Sequence, residues 1–389
     1  MIMLTLIYFL CNFPRLALSA VLIEIENEWQ VSNQQLLTLF SYQALCGVFA
    51  MLSTGYLLSR LKPRQMVCLA AVLTGTGMAI LPFLSGFTQV QIVFMGIGAA
   101  TGLYFTAGMA TLVSITRSDD WGKAVGIHEL APNLCFMLSP LLIEVALNVT
   151  DWRGAFAASG CIFILAGLLF FFFGKGGYEY AERQSAAGWT KLLGNKTLWI
   201  LTIIMTVGLV GEFTIYNVLQ LYLVKDLGFS SDSANYILSS SRFITPVAVV
   251  LGGWAADRFN PRTIIVICMA IYALSLGMMS MSFSPVLAMC GVYLQPVPIA
   301  FFFPSVFKVV SEYFATTIQP IVFAIMIPVT LLVNGSIAPT LLGWMADIWN
   351  FAASFGAVCA VSAASILLML LLPKADTAPK TDSAVHEPS

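Results

Sequence analysis

Gly253-Trp254-Ala255-Ala256-Asp257-Arg258-Phe259-Asn260-Pro261-Arg262 decides the fold, because Gly55-Tyr56-Leu57-Leu58-Ser59-Arg60-Leu61-Lys62-Pro63-Arg64 repeats its skeleton. Each has a Gly, an Arg five residues on, then Pro and Arg, and the copies stand 198 residues apart. A second pair agrees: Pro140 in Ser139-Pro140-Leu141-Leu142 and Pro339 in Ala338-Pro339-Thr340-Leu341 are 199 residues apart. Two landmarks at one offset mark duplicated halves. Each copy is a short basic turn between long apolar runs. It reads as a tight connection between two membrane helices, with its basic residues on the positive side and its Pro stopping the helix.

The composition agrees. Of 389 residues, 59% are hydrophobic and 10% charged, against roughly 25% charged in soluble domains. A membrane helix needs about 20 apolar residues. The expected spans are 3–23, 34–58, 65–84, 88–114, 123–147 and 153–174, then 197–223, 231–256, 263–283, 286–312, 319–342 and 350–373. The fold class is therefore an all-α membrane protein of twelve transmembrane helices in two pseudo-symmetric bundles, 1–174 and 197–373. The polar stretch 175–196 is expected as a cytoplasmic linker, and 374–389 as a disordered cytoplasmic tail. The first ten residues lack a basic leader, and Arg15 interrupts a signal-like run, so the first helix is read as retained.

Orientation follows from Lys and Arg. With the N-terminus inside, thirteen of the eighteen basic residues fall on inner segments, and the outer loops hold only Arg153 and Lys225. Both termini are expected to be cytoplasmic, in a multi-pass protein of the plasma (inner) membrane. The eight cysteines are scattered singly through apolar runs, with neither metal-ligand spacing nor a disulfide framework. No cofactor is implied, and a net charge of −1 offers nothing to nucleic acid.

The motif Gly253–Arg262 resembles the signature loop between helices 2 and 3 of the major facilitator superfamily, with Asp257-Arg258 matching its Asp-Arg. The first copy departs from the pattern at Ser59. The stretch from Gly126 through Pro132-Asn133 and Pro140 to Trp152-Arg153 is also similar to that family's fifth helix and the start of its sixth. The resemblance implies two six-helix bundles that rock around a midplane site, helices 1, 4, 7 and 10 lining a central cavity, and an inner gate at the motif. Arg60, Arg64, Asp257 and Arg258 are the gate candidates it names.

Charges within spans carry the remaining information, because burying one in lipid costs about 2.5–3.5 kcal/mol on insertion scales. Arg15 shares a helical stripe with Asn12 and Ser19; Glu212 shares one with Gly208, Tyr216 and Gln220. The repeat offset makes Arg15 and Glu212 near-equivalents. They form either an ion pair or an anion site in which Arg15 binds and Glu212 titrates. Arg242 lies on a face with Asn235, Ser239 and Thr245 and has no acid three or four residues away. Its planar fork suits a carboxylate; the other reading is a bridge to Glu212. Lys308 and Glu312, four apart, can pair. With His128 and Glu129 they are read either as a gate cluster or, through the imidazole, as proton handling. Glu144, near the end of its helix, is read as wetted there. Tyr104, Tyr216 and Asn334 are candidate cavity walls.

With no phosphate-binding loop and no paired His around a helical Glu, neither ATP-driven transport in cis nor membrane metalloprotease chemistry fits, and the chain is not read as an enzyme. The expected function is secondary transport of a small organic anion, proton-coupled, by a monomer in the lipid bilayer. The alternatives are a proton-coupled drug or metabolite antiporter with Glu212 as its cation site, and a non-transporting sensor on the same fold.

Overall fold

The computed structural model describes residues 1–117, 120–180, 192–316 and 318–372. Residues 181–191 of the expected linker and the whole expected tail lie outside them. Among the described residues, eleven helices are long and apolar enough to cross a membrane. They are Asn33–Leu58, Pro63–Phe83, Phe87–Ile115, Lys123–Leu147 and Trp152–Phe173, here spans 2 to 6. Spans 7 to 12 are Lys196–Lys225, Ser231–Arg258, Pro261–Met279, Pro285–Tyr313, Gln319–Ile348 and Phe351–Leu371. Span 1 is Ile2–Leu18, which bends by 48° into the short helix Leu22–Trp29. We place that short helix outside the hydrocarbon because it carries Glu24, Glu26 and Glu28.

The ends of these helices are written locally. Ser32 and Gln35 form a reciprocal capping box at span 2, and Asp151, Asn195, Ser230, Asn260 and Asn350 cap spans 6, 7, 8, 9 and 12. Each accepts from a backbone N–H that the first helical turn cannot satisfy. Pro63 and Pro261 of the repeated motif stand in the first turn of spans 3 and 9. There the missing N–H removes no helical bond, so each Pro starts the following helix as well as ending the preceding one.

Duplication recurs in the packing. Spans 2 and 4, 3 and 4, 3 and 6, and 1 and 5 are neighbours, as are 8 and 10, 9 and 10, 9 and 12, and 7 and 11. Glycine sets the closest approaches. A Cβ on Gly98 would sit 1.9 Å from the Gln43 carbonyl oxygen of span 2, and one on Gly252 would sit 2.5 Å from the Ala300 oxygen of span 10. Helix association in lipid has little hydrophobic drive, so backbone contact of this kind holds the spans together.

The described residues form two compact units. The first takes spans 1 to 6 with Tyr216–Phe243 and Gly335–Asp347 from spans 7, 8 and 11, and the second takes the remainder. The chain passes between units where helices are irregular. Span 7 runs through a π segment at Gly211–Ile215 and span 11 through one at Leu332–Ile337. Span 8 is interrupted between Ser231–Ser240 and Thr245–Arg258. Such segments mark local departures from the α ladder that recur at functional positions.

Candidate functional site

Within the first unit, span 5 organises the polar interior, and its prolines explain why. Pro140 has no N–H, so the carbonyl of Phe136 four residues earlier has no partner in its own helix. The Tyr216 hydroxyl donates to that oxygen at 2.9 Å. The Tyr216 and Phe136 rings meet edge to face, with centroids 4.8 Å apart. Next along the chain, Ser239 donates to the Met137 carbonyl at 2.5 Å. A helix break in one half thus receives two side chains of the other.

Two guanidinium groups converge on this point. The Cζ atoms of Arg15 and of Arg242 each lie 5.2 Å from the centroid of the Phe136 ring, and Arg242 is also 4.8 Å from the Tyr216 ring. The two cations are therefore no farther apart than the sum of their distances to one ring. Arg242 is only 1% exposed. Arg15 donates from Nη1 to the Asn217 Oδ1 at 3.2 Å. That leaves the Asn217 amide nitrogen, in a fully buried side chain, with no hydrogen-bond partner. Both guanidinium groups thus lie within cation–π distance of the Phe136 ring. Arg15, Arg242, Phe136 and Asn217 form one arginine cradle.

One end of the unit is closed by a polar network. The Gln220 Oε1 accepts from the Leu22 N–H at 2.9 Å, and its Nε2 donates to the Ala20 carbonyl at 2.7 Å. Asn235 donates to Ala20 at 3.0 Å and to the Glu144 carboxylate at 2.9 Å. Glu144 was expected to be wetted near its helix end, but it is buried. Span 8 covers it, and the Asn235 amide replaces water. Lys225 pairs with Glu26 at 2.5 Å, and Asp347 accepts from the N–H groups of Asn33 and Gln34 at 2.9 Å each. These contacts join segments of both halves at the end that holds Glu24, Glu26 and Glu28.

In the second unit Glu212 is half-buried in the first turn of the span 7 π segment. Thr214 donates to the Asn334 carbonyl at 2.7 Å, and Asn334 donates to the Thr206 carbonyl at 2.8 Å. The two π segments are thereby tied to each other, and Asn334 is a brace of this unit. Its buried Oδ1 is left without a hydrogen bond.

The comparisons with known proteins bear on this arrangement. The sequence profile of the Major Facilitator Superfamily matches residues 4–216 and 206–388. The chain belongs to the Major Facilitator Superfamily. That is a family of transporters and not of enzymes. Its fold is similar to that of a D-xylose-proton symporter, with a TM-score of 0.81 at 18% identity, covering 97% of this chain and 98% of that one. It is also similar to an inward-facing bacterial homologue of the lysosomal transporter Spinster, with a TM-score of 0.77 at 12% identity over 95% and 94% of the two chains. Among curated relatives, a probable L-galactonate transporter of Escherichia coli is 23% identical over 61% of this chain and 55% of its own. A probable sulfoacetate transporter of Cupriavidus necator is 20% identical over 66% and 64%. The chain thus spans less than two thirds of the length of either.

In this superfamily member the signature-motif residues hold helix ends. Arg64 donates to the Gly174 carbonyl at 2.5 Å, to the Phe171 carbonyl and to the Tyr178 hydroxyl at 2.8 Å. It thereby caps the end of span 6. Arg60 stacks over Tyr56 and Arg258 over Trp254. Lys308 was expected against Glu312 on its own helix, but it pairs with Asp257 at 3.4 Å, while Glu312 lies 4.0 Å from Arg262. Spans 8, 9 and 10 are close enough at this end for pairing across helices to replace pairing along one. His128, fully buried, packs with Tyr104 and with Tyr8. Tyr104 thus belongs to the His128 group, apart from the arginine cradle.

The sequence reading missed Phe136 and Asn217. Phe136 carried a signal in retrospect, since an aromatic four residues before an intramembrane Pro has a free carbonyl beside its ring.

Proposed function

We propose that this transporter moves a small organic anion across the membrane, with the carboxylate or sulfonate of the substrate held between Arg15 and Arg242 over Phe136. The carrying observation is the convergence of two guanidinium groups on one buried ring beside an unmatched amide donor. A planar guanidinium matches the geometry of a carboxylate or sulfonate, and two of them at one ring suit a single anionic group. The names of two relatives support the class, since L-galactonate and sulfoacetate are both organic acids. Protons are the coupling ion. Transport proceeds by alternating access, as bundles built from inverted repeats do around a midplane site. Both termini are cytoplasmic, so the network around Gln220, Asn235 and Asp347 closes the outer end.

Equilibrium binding of L-galactonate and sulfoacetate to purified protein tests this. Removing one partner of a buried, hydrogen-bonded charge pair costs about 2–5 kcal/mol, so Arg242→Ala is expected to weaken binding by roughly 30-fold or more. Arg242→Lys keeps the charge without the fork and restores part of the affinity. Glu212→Gln is expected to change affinity less than Arg242→Ala does. Wild-type affinity in Arg242→Ala, or tight binding of cationic compounds only, would sink the anion reading and leave an antiporter centred on Glu212.

A further inference from the structure

The buried imidazole of His128 holds a feature that the anion cradle does not use. The Tyr104 hydroxyl has a single proton. It lies 2.7 Å from the Leu4 carbonyl, which can only accept, so the proton is on that bond. The Tyr104 oxygen lies 3.1 Å from the His128 Nε2 and must therefore accept there, which makes Nε2 the protonated nitrogen. In the neutral ring Nδ1 is then a bare lone pair. That atom is buried without a hydrogen-bond partner, and the nearest charge is the Glu129 Oε1 at 3.8 Å. A lone pair facing a carboxylate is repelled by it; a proton on Nδ1 turns the repulsion into an ion pair.

The surroundings favour a movable proton. Tyr8 of span 1 stacks on the imidazole, with centroids 4.3 Å apart and planes 14° apart, and its ring face attracts an imidazolium. Tyr104 of span 4 stacks at 6.2 Å. Among the described residues, the titratable groups that meet the imidazole are Tyr8 on span 1, Tyr104 on span 4 and Glu129 on span 5, and Cys11 on span 1 lies near both tyrosines. Arg15 lies two helical turns beyond Tyr8 on span 1. Glu129 is half-exposed, with 42% of its side chain accessible, so unlike the imidazole it is not enclosed by the protein. Pro132, four residues after His128, removes the helical bond to the His128 carbonyl, as Pro140 does for Phe136.

We propose that His128 and Glu129 form a proton-binding site in which one exchangeable proton binds the His128 Nδ1 with the Glu129 carboxylate as its counter-ion. The proton enters by way of Glu129 and binds Nδ1, giving an imidazolium whose Nε2–H stays on Tyr104. When it leaves, the neutral Nε2–H tautomer returns. The role of this site as the coupling proton of transport rests on the reading given above; the binding of the proton does not. Span 1 carries both Tyr8, stacked on this ring, and Arg15 of the anion cradle, so proton and substrate act on one helix.

The chain has only two histidines, His128 and His386. His386→Asn therefore leaves a single imidazole, and nitrogen-15 NMR of histidine-labelled protein in lipid bilayers reads its tautomer directly. The expected spectrum at high pH has a protonated Nε2 and a bare Nδ1, with Nδ1 gaining a proton on acidification. Glu129→Gln removes the facing carboxylate and is expected to move the midpoint of that transition. A neutral ring protonated on Nδ1, a ring that stays neutral wherever the protein is folded, or a midpoint unmoved by Glu129→Gln would overturn the proposal. In proteoliposomes His128→Gln keeps a donor for Tyr104 but has no proton to gain. Exchange of labelled L-galactonate is expected to persist while accumulation driven by a pH gradient is lost. Unchanged gradient-driven accumulation, or loss of exchange together with it, would overturn the coupling role. Absence of any L-galactonate uptake by the wild type counts against the anion reading alone, because the NMR titration needs no substrate.

Discussion

Gly98→Ala isolates the contact between spans 2 and 4. The added Cβ would lie 1.9 Å from the Gln43 oxygen, 2.6 Å from its carbon and 2.8 Å from its Cα, where ordinary contact begins at 3.4 Å. All three atoms are backbone, so no side chain can rotate away. Span 4 must retreat by about 1.5 Å, the difference between the first of these distances and ordinary contact. Overpacking of this kind costs about 1–3 kcal/mol, and the roughly 1 kcal/mol that Ala gains over Gly in helix propensity offsets only part of it. The neighbouring glycines supply a graded series. A Cβ on Gly102 would be 2.2 Å from the Gly47 oxygen, one on Gly47 would be 3.1 Å from the Gly98 oxygen, and one on Gly96 would meet nothing within 4 Å. Melting temperature, followed by tryptophan fluorescence in detergent, is expected to fall most for Gly98→Ala, nearly as far for Gly102→Ala and slightly for Gly47→Ala. Gly96→Ala is expected to hold or rise. A Gly98→Ala protein as stable as the wild type, or a Gly96→Ala protein as unstable as Gly98→Ala, would refute the packing argument.

Other outcomes are expected from the same geometry. Tyr216→Phe orphans the buried Phe136 carbonyl and should cost about 1–3 kcal/mol. With Pro140→Ala present, an N–H returns to that carbonyl, so a double-mutant cycle on melting should show less than additive loss; strict additivity would contradict the freed-carbonyl account. Arg153, hydrogen-bonded through both terminal nitrogens to Glu28 at 2.5 Å each, holds the Glu28 carboxyl below the usual carboxylate range. A lowered carboxylate stabilises above its unfolded pKa of about 4.3 and loses that contribution as the pH falls through the folded value. Melting of the wild type should thus drop toward that of Glu28→Gln below about pH 4; parallel pH curves would count against it. Cysteine introduced within 24–30 should label from outside and within 60–64 or 258–262 from inside, and external labelling at position 62 or 260 would reverse the orientation.

The amino-acid sequence by itself determined the helices, their number and their duplication. Lipid offers no hydrogen bonds, so each span must satisfy its own backbone, and the requirement is met within about 20 consecutive residues. Caps such as Ser32 and Asn260 and the first-turn prolines Pro63 and Pro261 are equally local. The intramembrane charges were also legible as a set, because each is an exception in an apolar run. Only the tertiary structure decided which of them meet. Arg15 and Arg242 converge on Phe136 from different helices, and Lys308 turns from Glu312 on its own span to Asp257 on another. Tyr104 goes to His128 rather than to the cradle. Periodicity along one helix fixes the face a residue occupies. What lies opposite that face depends on crossing and rotation, and these are set by close contacts such as Gly98 against Gln43, between residues far apart in the chain.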